Sequence, residues 1–411
     1  MYSNCFRRIV ALTSLVLLGA APAAAQERPT EFDGYVIPGW SFTPGVSISG
    51  MWDSNVTLEA PAAITGKTPN DTVFLIVPSG QLALVSQRTN FHAGYRGYLR
   101  RHQDLDQLDG FDQRGHLTFQ HAVTPRLSVF VNDEFSVMPT TDQLQLFDVP
   151  YRRVGSTANH FGTGVEARLT KYMDLRVRYE HTWASFDQVD EFLNKGTIHG
   201  FRADLRRRLS ERATVGVEGS VRRSDITRDN PRLNWFRDAG GTFDYRLTEF
   251  VTLNLAGGIS HLQSSRIDAS DTSPYYRVGI QHATERARIG VELQQSYMPS
   301  FGFTGRNNTR ELRGFVHMPF SRNRLYVQGD ASWRRSDPFV AVDDPLLGIE
   351  AGEVRLDTAY TQVTVGYSAL RWLRVEGYHA YSRQDSIIPG NPIQRHRIGT
   401  QLVVSQPMRI R

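Results

Sequence analysis

The chain has 411 residues, and its 47 Lys and Arg against 42 Asp and Glu give a formal net charge of +5. Such a balance excludes a strongly basic tail for nucleic acid. Cys5 is the only cysteine, so no disulfide can form within the chain. All basic residues except Lys67, Lys171 and Lys195 are arginines. Arginine suits a crowded polar interior or an anionic ligand, although a GC-rich genome would produce the same bias.

The N-terminus has the features of a secretory signal peptide. Arg7 and Arg8 precede an apolar run from Ile9 to Ala20, and three alanines follow at 23–25. A membrane anchor is the alternative, but about a dozen apolar residues fall short of the roughly 20 that a spanning helix needs. We predict a signal peptide over residues 1–25, a periplasmic segment over 26–43 and a barrel over 44–411.

Alternation with a period of two residues fills most of the remaining chain. Residues 213, 215, 217, 219 and 221 are small or apolar, whereas 214, 218, 220 and 222 are polar. Similar alternation runs from Leu175, from Ala287 and from Leu325. Each segment is typical of a strand with one apolar and one polar face. No run of 18 apolar residues follows Gln26, which excludes helical membrane spans.

Short turns recur at intervals of 36 to 46 residues and begin at Thr124, Thr170, Ser210, Thr248, Thr284 and Ser321. Longer hydrophilic or turn-rich segments lie between them, for example 226–234, 301–309 and 338–353. This asymmetry is typical of an outer-membrane barrel with short periplasmic turns and long extracellular loops. We count about 18 strands, with 16 to 18 as the range, from Val46 to Ser405, each near the 9 to 11 residues that cross a tilted bilayer.

The same alternation would suit a soluble sandwich, so other features must decide. Five aromatic residues lie near the far ends of their strands, where a membrane-interface girdle would need them: Trp183, Tyr297, Trp333, Tyr378 and Tyr381. Polar faces carry both signs of charge, and ring closure removes exposed strand edges. The sequence therefore predicts an all-β, transmembrane antiparallel β-barrel in the outer membrane.

The C-terminal strand resembles the assembly signal of bacterial outer-membrane proteins. Gly399, Leu402 and Val404 occupy the glycine and apolar positions of that signal, but the chain continues to Arg411 where many such proteins stop at an aromatic residue. The resemblance implies the barrel-assembly machinery as a partner, together with outer-membrane lipid and lipopolysaccharide.

The start of the predicted barrel resembles the beta-barrel porin 2 family. The residues that carry this resemblance are Asp53-Ser54-Asn55-Val56, then Asp71-Thr72-Val73-Phe74 and Val77-Pro78. The resemblance implies an outer-membrane barrel of a proteobacterium in a family associated with exopolysaccharide production and export. Its partners would then include a polysaccharide and periplasmic export proteins. No catalytic residue comes with it.

The sequence predicts no cofactor, metal site or catalytic residue. The twelve histidines form no zinc-binding motif, and there is no Gly-x-Ser-x-Gly elbow. Asp104, Asp106, Asp109 and Asp112 have the composition of a calcium loop, but the glycine falls one place late, which favours a solvated acidic loop. An enzyme at the barrel rim would need a converging nucleophile and base.

Arginines on the predicted inward faces are the remaining candidates for function. If they were unpaired, they would form a cationic ladder that attracts anions. If each were paired with Asp or Glu, they would only brace the wall. Both alternatives stay open for Arg96, Arg168, Arg176, Arg178, Arg202, Arg206, Arg246, Arg288, Arg374 and Arg397.

The predicted function is a passive conduit for hydrophilic solutes, with export of an anionic exopolysaccharide as its narrower form. A general diffusion porin that prefers anions is one alternative. The segment from Thr140 to Arg153, which contains Leu144, Leu146, Phe147 and Tyr151, would then fold into the lumen. A structural or adhesive surface barrel without transport is another.

Overall fold

The computed structural model describes residues 38–59, 69–141, 149, 151–187, 193–226, 233–265, 269–302, 306–320, 324–338, 356–385 and 392–410. The predicted signal peptide and residues 26–37 lie outside these ranges, as do Leu144, Leu146 and Phe147. The described part of the chain holds no helix with the length and hydropathy needed for a membrane span.

The chain is built from long antiparallel strands, with one 3-10 turn at Asp106–Leu108. The strands are Gly39–Asp53 (β1), Asp71–Val85 (β2), Thr89–His102 (β3), Gly110–Thr124 (β4), Leu127–Met138 (β5), Ser156–Arg168 (β6), Met173–Phe186 (β7), Gly196–Arg208 (β8), Ala213–Ile226 (β9), Leu233–Arg246 (β10), Val251–Ser264 (β11), Ala269–Ala283 (β12), Arg288–Pro299 (β13), Arg306–Phe320 (β14), Leu325–Pro338 (β15), Leu356–Leu370 (β16), Leu373–Gln384 (β17), Ile393–Ser405 (β18) and the two-residue Met408–Arg409 (β19).

The strands form one closed ring. Each of β1 to β18 pairs antiparallel with its neighbours in the sequence, and β1 also pairs with β18 from Gly45–Ser405 to Asp53–Arg397. The short β19 extends this seam by pairing Ser41 with Arg409. The predicted antiparallel barrel of about 18 strands is therefore confirmed. Since the ring has no open edge, every strand finds backbone partners on both sides.

The two faces of the wall differ in chemistry. On β1, Trp40, Phe42, Ile48 and Trp52 point outward and are exposed, whereas the intervening side chains, such as Ser49, are buried on the inner face. Large exposed apolar side chains recur on the outer face of most other strands, among them Phe74, Ile76, Val217, Ile259, Val363 and Ile398. The inner face carries most of the charged residues. This inverts the pattern of a soluble sandwich, in which apolar side chains fill the centre.

The repeating turns owe their composition to a local hydrogen bond. The hydroxyl of Thr124 accepts from the backbone N–H groups of Arg126 and Leu127, at 3.2 and 3.0 Å. Ser210, Thr248 and Thr284 make the same two contacts in later turns. A Ser or Thr hydroxyl can satisfy backbone donors in a tight turn in this way. The turns predicted at 170, 210, 248 and 284 each follow the end of a strand, and the turn predicted at 124 begins on the last residue of β4. The turn predicted at Ser321 lies outside the described residues.

The strands are longer than predicted. They contain 12 to 15 residues from β1 to β18, instead of about 9 to 11. Strand β1 begins at Gly39, five residues before the barrel boundary predicted at 44. Pairing of β1 with β2 already starts at Gly39–Val85, before the predicted boundary.

The aromatic girdle prediction was wrong at two positions. Trp183 and Trp333 are exposed on the outer face, and Tyr381 shares that face. Tyr378, however, points inward and packs against Met51. Tyr297 is buried with Phe236 and Leu262, because pairing of β12 with β13 ends at Tyr276–Gln295 and the rest of β13 leans into the barrel.

The Asp53-Ser54-Asn55 motif stabilises the pairing between β1 and β18, the seam at which the ring closes. Asp53 binds the Arg395 guanidinium through both carboxylate oxygens, with Nε–Oδ1 and Nε–Oδ2 distances of 3.0 Å and side chains only 1% and 5% exposed. The Ser54 hydroxyl accepts from the His396 N–H at 2.8 Å. Asn55 donates to the Gln394 carbonyl at 3.0 Å. All three residues thus bind the last long strand.

We predict that Asp53→Ala destabilises the barrel by about 3–5 kcal/mol, because Arg395 would remain buried without its carboxylate. Urea unfolding in lipid vesicles, followed by the mobility shift of the folded barrel in gels, measures this change. Asp385→Ala is the matched control. It removes an exposed partner of Arg383, at 2.9 Å, and should cost about 1 kcal/mol or less. If both variants lost the same free energy of unfolding, the stabilising role of the Asp53–Arg395 pair would be contradicted.

Candidate functional site: the barrel lumen

All ten predicted arginines lie on the inner face of the wall. The strand registers place their Cα atoms opposite other inward positions, for example Arg96 opposite Arg114 and Arg178 opposite Arg202. Five of them lie within two residues of the strand ends at the short turns, and these are Arg168, Arg206, Arg246, Arg288 and Arg374. The others are deeper in the barrel. The ten therefore do not form a ring at one depth.

Six of the ten arginines have carboxylate partners. The pairs are Arg168–Asp174 at 3.7 Å, Arg176–Glu166 at 3.2 Å, Arg178–Glu180 at 3.0 Å, Arg202–Asp204 at 3.4 Å, Arg206–Asp244 at 3.3 Å and Arg374–Glu376 at 2.5 Å. Their positive charges are largely neutralised within the wall. For these six residues the braced wall, rather than a free cationic ladder, is the observed arrangement.

Four arginines have no ion pair among the described residues. Arg246 ends β10 and Arg288 begins β13, and both are exposed at the short-turn end of the lumen. Arg96 lies midway along β3, and Arg397 lies nearer the long-loop end of β18. These four side chains place positive charge at several depths of the inner face.

Two buried carboxylates organise other arginines of the wall. Glu218 binds Arg202 and also accepts from Arg277 and the Tyr275 hydroxyl. Glu311 is 2% exposed and binds Arg313 at 2.6 Å and Arg334 at 2.9 Å. A carboxylate shared by two guanidinium groups satisfies several of their donors at once.

The described residues 151–153, which precede β6, contact three other parts of the wall at the long-loop end of the barrel, which we call the mouth. The Tyr151 N–H donates to the side-chain oxygen of Gln384 on β17 at 2.6 Å. Arg153 donates to the carbonyl of Val56 at 2.8 Å and to that of Leu108 at 3.1 Å. These contacts join residues 151–153 to β17, to the β1–β2 connection and to the 3-10 turn between β3 and β4. Most of the segment from Thr140 to Arg153, which the sequence predicts to fold into the lumen, lies outside the described residues, so that prediction stays a prediction.

Arg153 keeps its charge at this mouth at neutral pH. Burial lowers its pKa to about 10, and the neighbouring positive charges of Arg100 and Arg395 act in the same direction. Asp112 and Asp53 oppose the shift. The guanidinium therefore remains protonated, and its two carbonyl acceptors hold residues 151–153 in place.

A second segment contributes to the mouth. The tip of the β13–β14 hairpin brings Phe301, which is 1% exposed, into an apolar cluster with eight other residues. We call it the mouth cluster, and its members are Met138, Val149, Val154, Ala158, Ala184, Leu193, Ile198, Ile226 and Phe301. Asn194 binds this tip by donating from its backbone to the Phe301 carbonyl at 2.8 Å and from its side chain to that of Gly302 at 3.0 Å.

Two carboxylates of the acidic stretch from Asp104 to Asp112 bind different arginines and do not converge on one point. Asp112 pairs with Arg100, and Asp109 pairs with Arg101 at 2.6 Å. The Arg101 side chain lowers the pKa of Asp109 through this hydrogen bond. Across the described ranges no three His, Cys, Asp or Glu side chains gather in a way that could hold a metal ion.

Sequence reasoning missed several inward residues that build this lumen. Arg114, Arg222, Arg277, Arg313, Arg334 and Arg395 share the inner face but were not among the predicted ten. Alternation along their strands would have found most of them. The pairing of Asp53 with Arg395, 342 residues apart, could not have been found in this way, because it depends on ring closure.

The three predicted assembly-signal residues lie on β18. Leu402 is exposed on the outer face, and Val404 shares that face. Gly399 points inward, where an added Cβ would lie 2.7 Å from the Met51 Cβ and 2.8 Å from the Gly50 carbonyl oxygen. A side chain at Gly399 would therefore clash with β1 across the seam.

An 18-stranded ring with an apolar exterior and a charged, solvated interior defines the class of membrane-spanning β-barrels with a polar lumen. No protein-family model matches the chain, and no curated protein matches it in sequence. The resemblance to the beta-barrel porin 2 family is therefore not confirmed.

Solved barrels are similar to this chain in outline. OpdQ of Pseudomonas aeruginosa is 9% identical, with a TM-score of 0.43 over 90% of this chain and 98% of that one. OccAB4 of Acinetobacter baumannii is 9% identical, with a TM-score of 0.45 over 90% and 98%. The alcaligin outer-membrane receptor FauA of Bordetella pertussis is 11% identical, with a TM-score of 0.43 over 91% and 77%. At these identities and TM-scores the likeness is one of outline alone.

We predict that Arg153→Met loosens the contacts of residues 151–153 at the mouth. The methionine keeps an apolar stem but loses both donors, each worth about 1.5–3 kcal/mol for a charged group. Single-channel recordings should show larger or more frequent openings than in the wild type. Arg383→Met, at an exposed outer position, is the control. Unchanged recordings for Arg153→Met would contradict the contribution of this side chain to the closure.

Proposed function

We propose that the protein is an outer-membrane channel, a passive conduit for small hydrophilic solutes that prefers anions. The observation that carries the proposal is the inner face, where Arg96, Arg246, Arg288 and Arg397 form no ion pair with any described residue. The apolar outer face and the closed ring support a membrane location. Barrels of 16 to 18 strands are wide enough to enclose an aqueous channel.

The contacts at the mouth favour small solutes over a polymer. Tyr151 is bound to Gln384 of β17, Arg153 is bound to the β1–β2 connection, and Phe301 is buried in the mouth cluster. Export of an anionic exopolysaccharide is the narrower hypothesis, and it would require both segments to swing outward. Unchanged surface polysaccharide after deletion of the gene would count against export and leave the small-solute channel standing.

Selectivity in planar bilayers tests the proposal directly. We expect the wild type to conduct, with a reversal potential in a salt gradient that indicates preference for chloride over potassium. The variant Arg96→Gln, Arg246→Gln, Arg288→Gln, Arg397→Gln should lower this preference by about twofold per charge. That factor corresponds to about 0.4 kcal/mol for unit charges roughly 10 Å apart in water.

The matched control removes a neutralised pair. Arg176→Gln combined with Glu166→Gln deletes one charge of each sign, from a pair at 3.2 Å, and should leave the reversal potential unchanged. Absence of conductance in the wild type would favour a structural or adhesive surface barrel. Equal selectivity in the wild type and the fourfold variant would contradict the role of the arginines.

A further inference from the structure

The outer wall carries a shallow groove across β8 to β11. Its floor is made by Gly219 and Ala239, and its sides by Phe201, Val221 and Ile259. The groove has a volume of about 260 Å³, and Arg237 and His261 stand at its long-loop end. All of these residues share the apolar outer face. Small residues between large ones thus leave room for a chain-shaped apolar group beside two basic side chains.

Two cations converge above this groove on one indole ring. The guanidinium carbons of Arg223 and Arg237 each lie 6.0 Å from the centre of the Trp235 ring. Neither arginine forms an ion pair with any described residue. Within the described ranges Arg237 donates to the neutral side chain of Gln263, at 3.2 Å. Both side chains are exposed. Two guanidinium groups beside one ring, neither with a carboxylate partner among the described residues, present donors that an anion can accept from.

The nearby carboxylates do not neutralise these arginines. Asp238 lines the groove, but its side chain points inward and accepts from Arg222 and the Ser220 hydroxyl at 2.7 Å, and from the Ser260 hydroxyl at 2.5 Å. Asp225 lies two residues beyond Arg223 on the same face of β9 and makes no ion pair with it. The positive charge at the top of the groove therefore faces the membrane surface without a partner from the described chain.

We propose that this groove binds a phosphorylated glycolipid of the outer leaflet. One acyl chain would lie along Gly219 and Ala239, and a headgroup phosphate would contact Arg223 and Arg237. Charge complementarity and the adjoining apolar floor together require a ligand that joins a phosphate to a hydrocarbon chain. The phosphorylated, acylated disaccharide that anchors lipopolysaccharide has this chemistry. This inference rests on the proposed outer-membrane location, with the long loops outside.

Lipid retention by the purified chain tests the site. The protein is placed in phosphatidylcholine nanodiscs that contain a small fraction of the phosphorylated disaccharide lipid, and native mass spectrometry measures the bound lipid. We expect Arg223→Gln with Arg237→Gln to weaken retention roughly 30-fold, which is about fivefold for each arginine near a charged lipid surface. Gly219→Leu should also weaken retention, because the new side chain fills the groove. Its Cβ would meet only the Asp238 carbonyl oxygen, at 3.7 Å, so no clash within the wall is expected.

Matched variants and ligands separate the alternatives. Gly314→Leu is the control for bulk on the outer face, since its Cβ also has only ordinary contacts, at 3.7 and 3.9 Å. Arg383→Gln is the control for charge. Both should retain lipid like the wild type. Retention by the double arginine variant equal to that of the wild type, or equal binding of the dephosphorylated lipid, would overturn the site. Competition by inorganic phosphate alone would show an ion site instead of a lipid site, which also overturns it.

Conductance distinguishes this inference from the proposed function. In bilayers of phosphatidylcholine alone, the groove variants should conduct like the wild type, because the groove lies outside the lumen. A non-conducting protein that still retains the phosphorylated lipid would refute the channel and leave the lipid site intact. A protein that conducts but does not retain the phosphorylated lipid selectively would refute the lipid site and leave the channel intact. The gel mobility shift of each variant confirms that its barrel has folded.

Discussion

The pairing of β1 with β18 is the constraint on which the whole structure depends. Backbone groups that face hydrocarbon have no water to bind, so an open sheet of this size would leave a row of donors and acceptors unsatisfied at each edge. Nine register pairs from Gly45–Ser405 to Asp53–Arg397 remove both edges. Asp53 and Arg395 reinforce the seam at its long-loop end, where the backbone pairing stops. Closure creates the lumen, and it also separates the apolar and polar faces into an outside and an inside.

Once the ring is closed, the inner charges must satisfy each other or meet water. Most arginines of the wall are held by carboxylates on the same or the next strand, and Glu218 and Glu311 each bind two of them. Such ion pairs stabilise the wall but contribute little to the electrostatic field in the lumen. We infer that the character of the lumen depends on the arginines without an ion pair among the described residues and on the contacts of Arg153 and Phe301 at the mouth. On the outer face, Arg223 and Arg237 lie among apolar neighbours and form no ion pair with the part of the chain that the structure describes.

The fold could be predicted from the sequence because a period of two residues is a local property. Val217 outside and Glu218 inside follow from alternation alone, and the turn at Ser210 follows from its hydroxyl. Tyr297 could not be placed correctly, because its burial depends on β13 leaving β12. Which inward arginines form ion pairs and which do not could not be predicted from the sequence either. Arg206 is paired with Asp244, two strands away, whereas Arg246 has no ion pair in the described chain, and only the register separates the two cases.

The most direct test of the account is the solvent accessibility of alternate residues along β9 in a lipid bilayer. Cys5 is the only natural cysteine. With Cys5 replaced or removed with the signal peptide, single cysteines can be placed at each position from 214 to 221 and treated with a membrane-impermeant thiol reagent. We predict that the even positions, which include Glu218 and Ser220, react from the aqueous lumen and that the odd positions, which include Val217 and Val221, do not. Uniform labelling of both sets, or labelling of the odd positions only, would contradict a lipid-facing exterior and a water-filled interior.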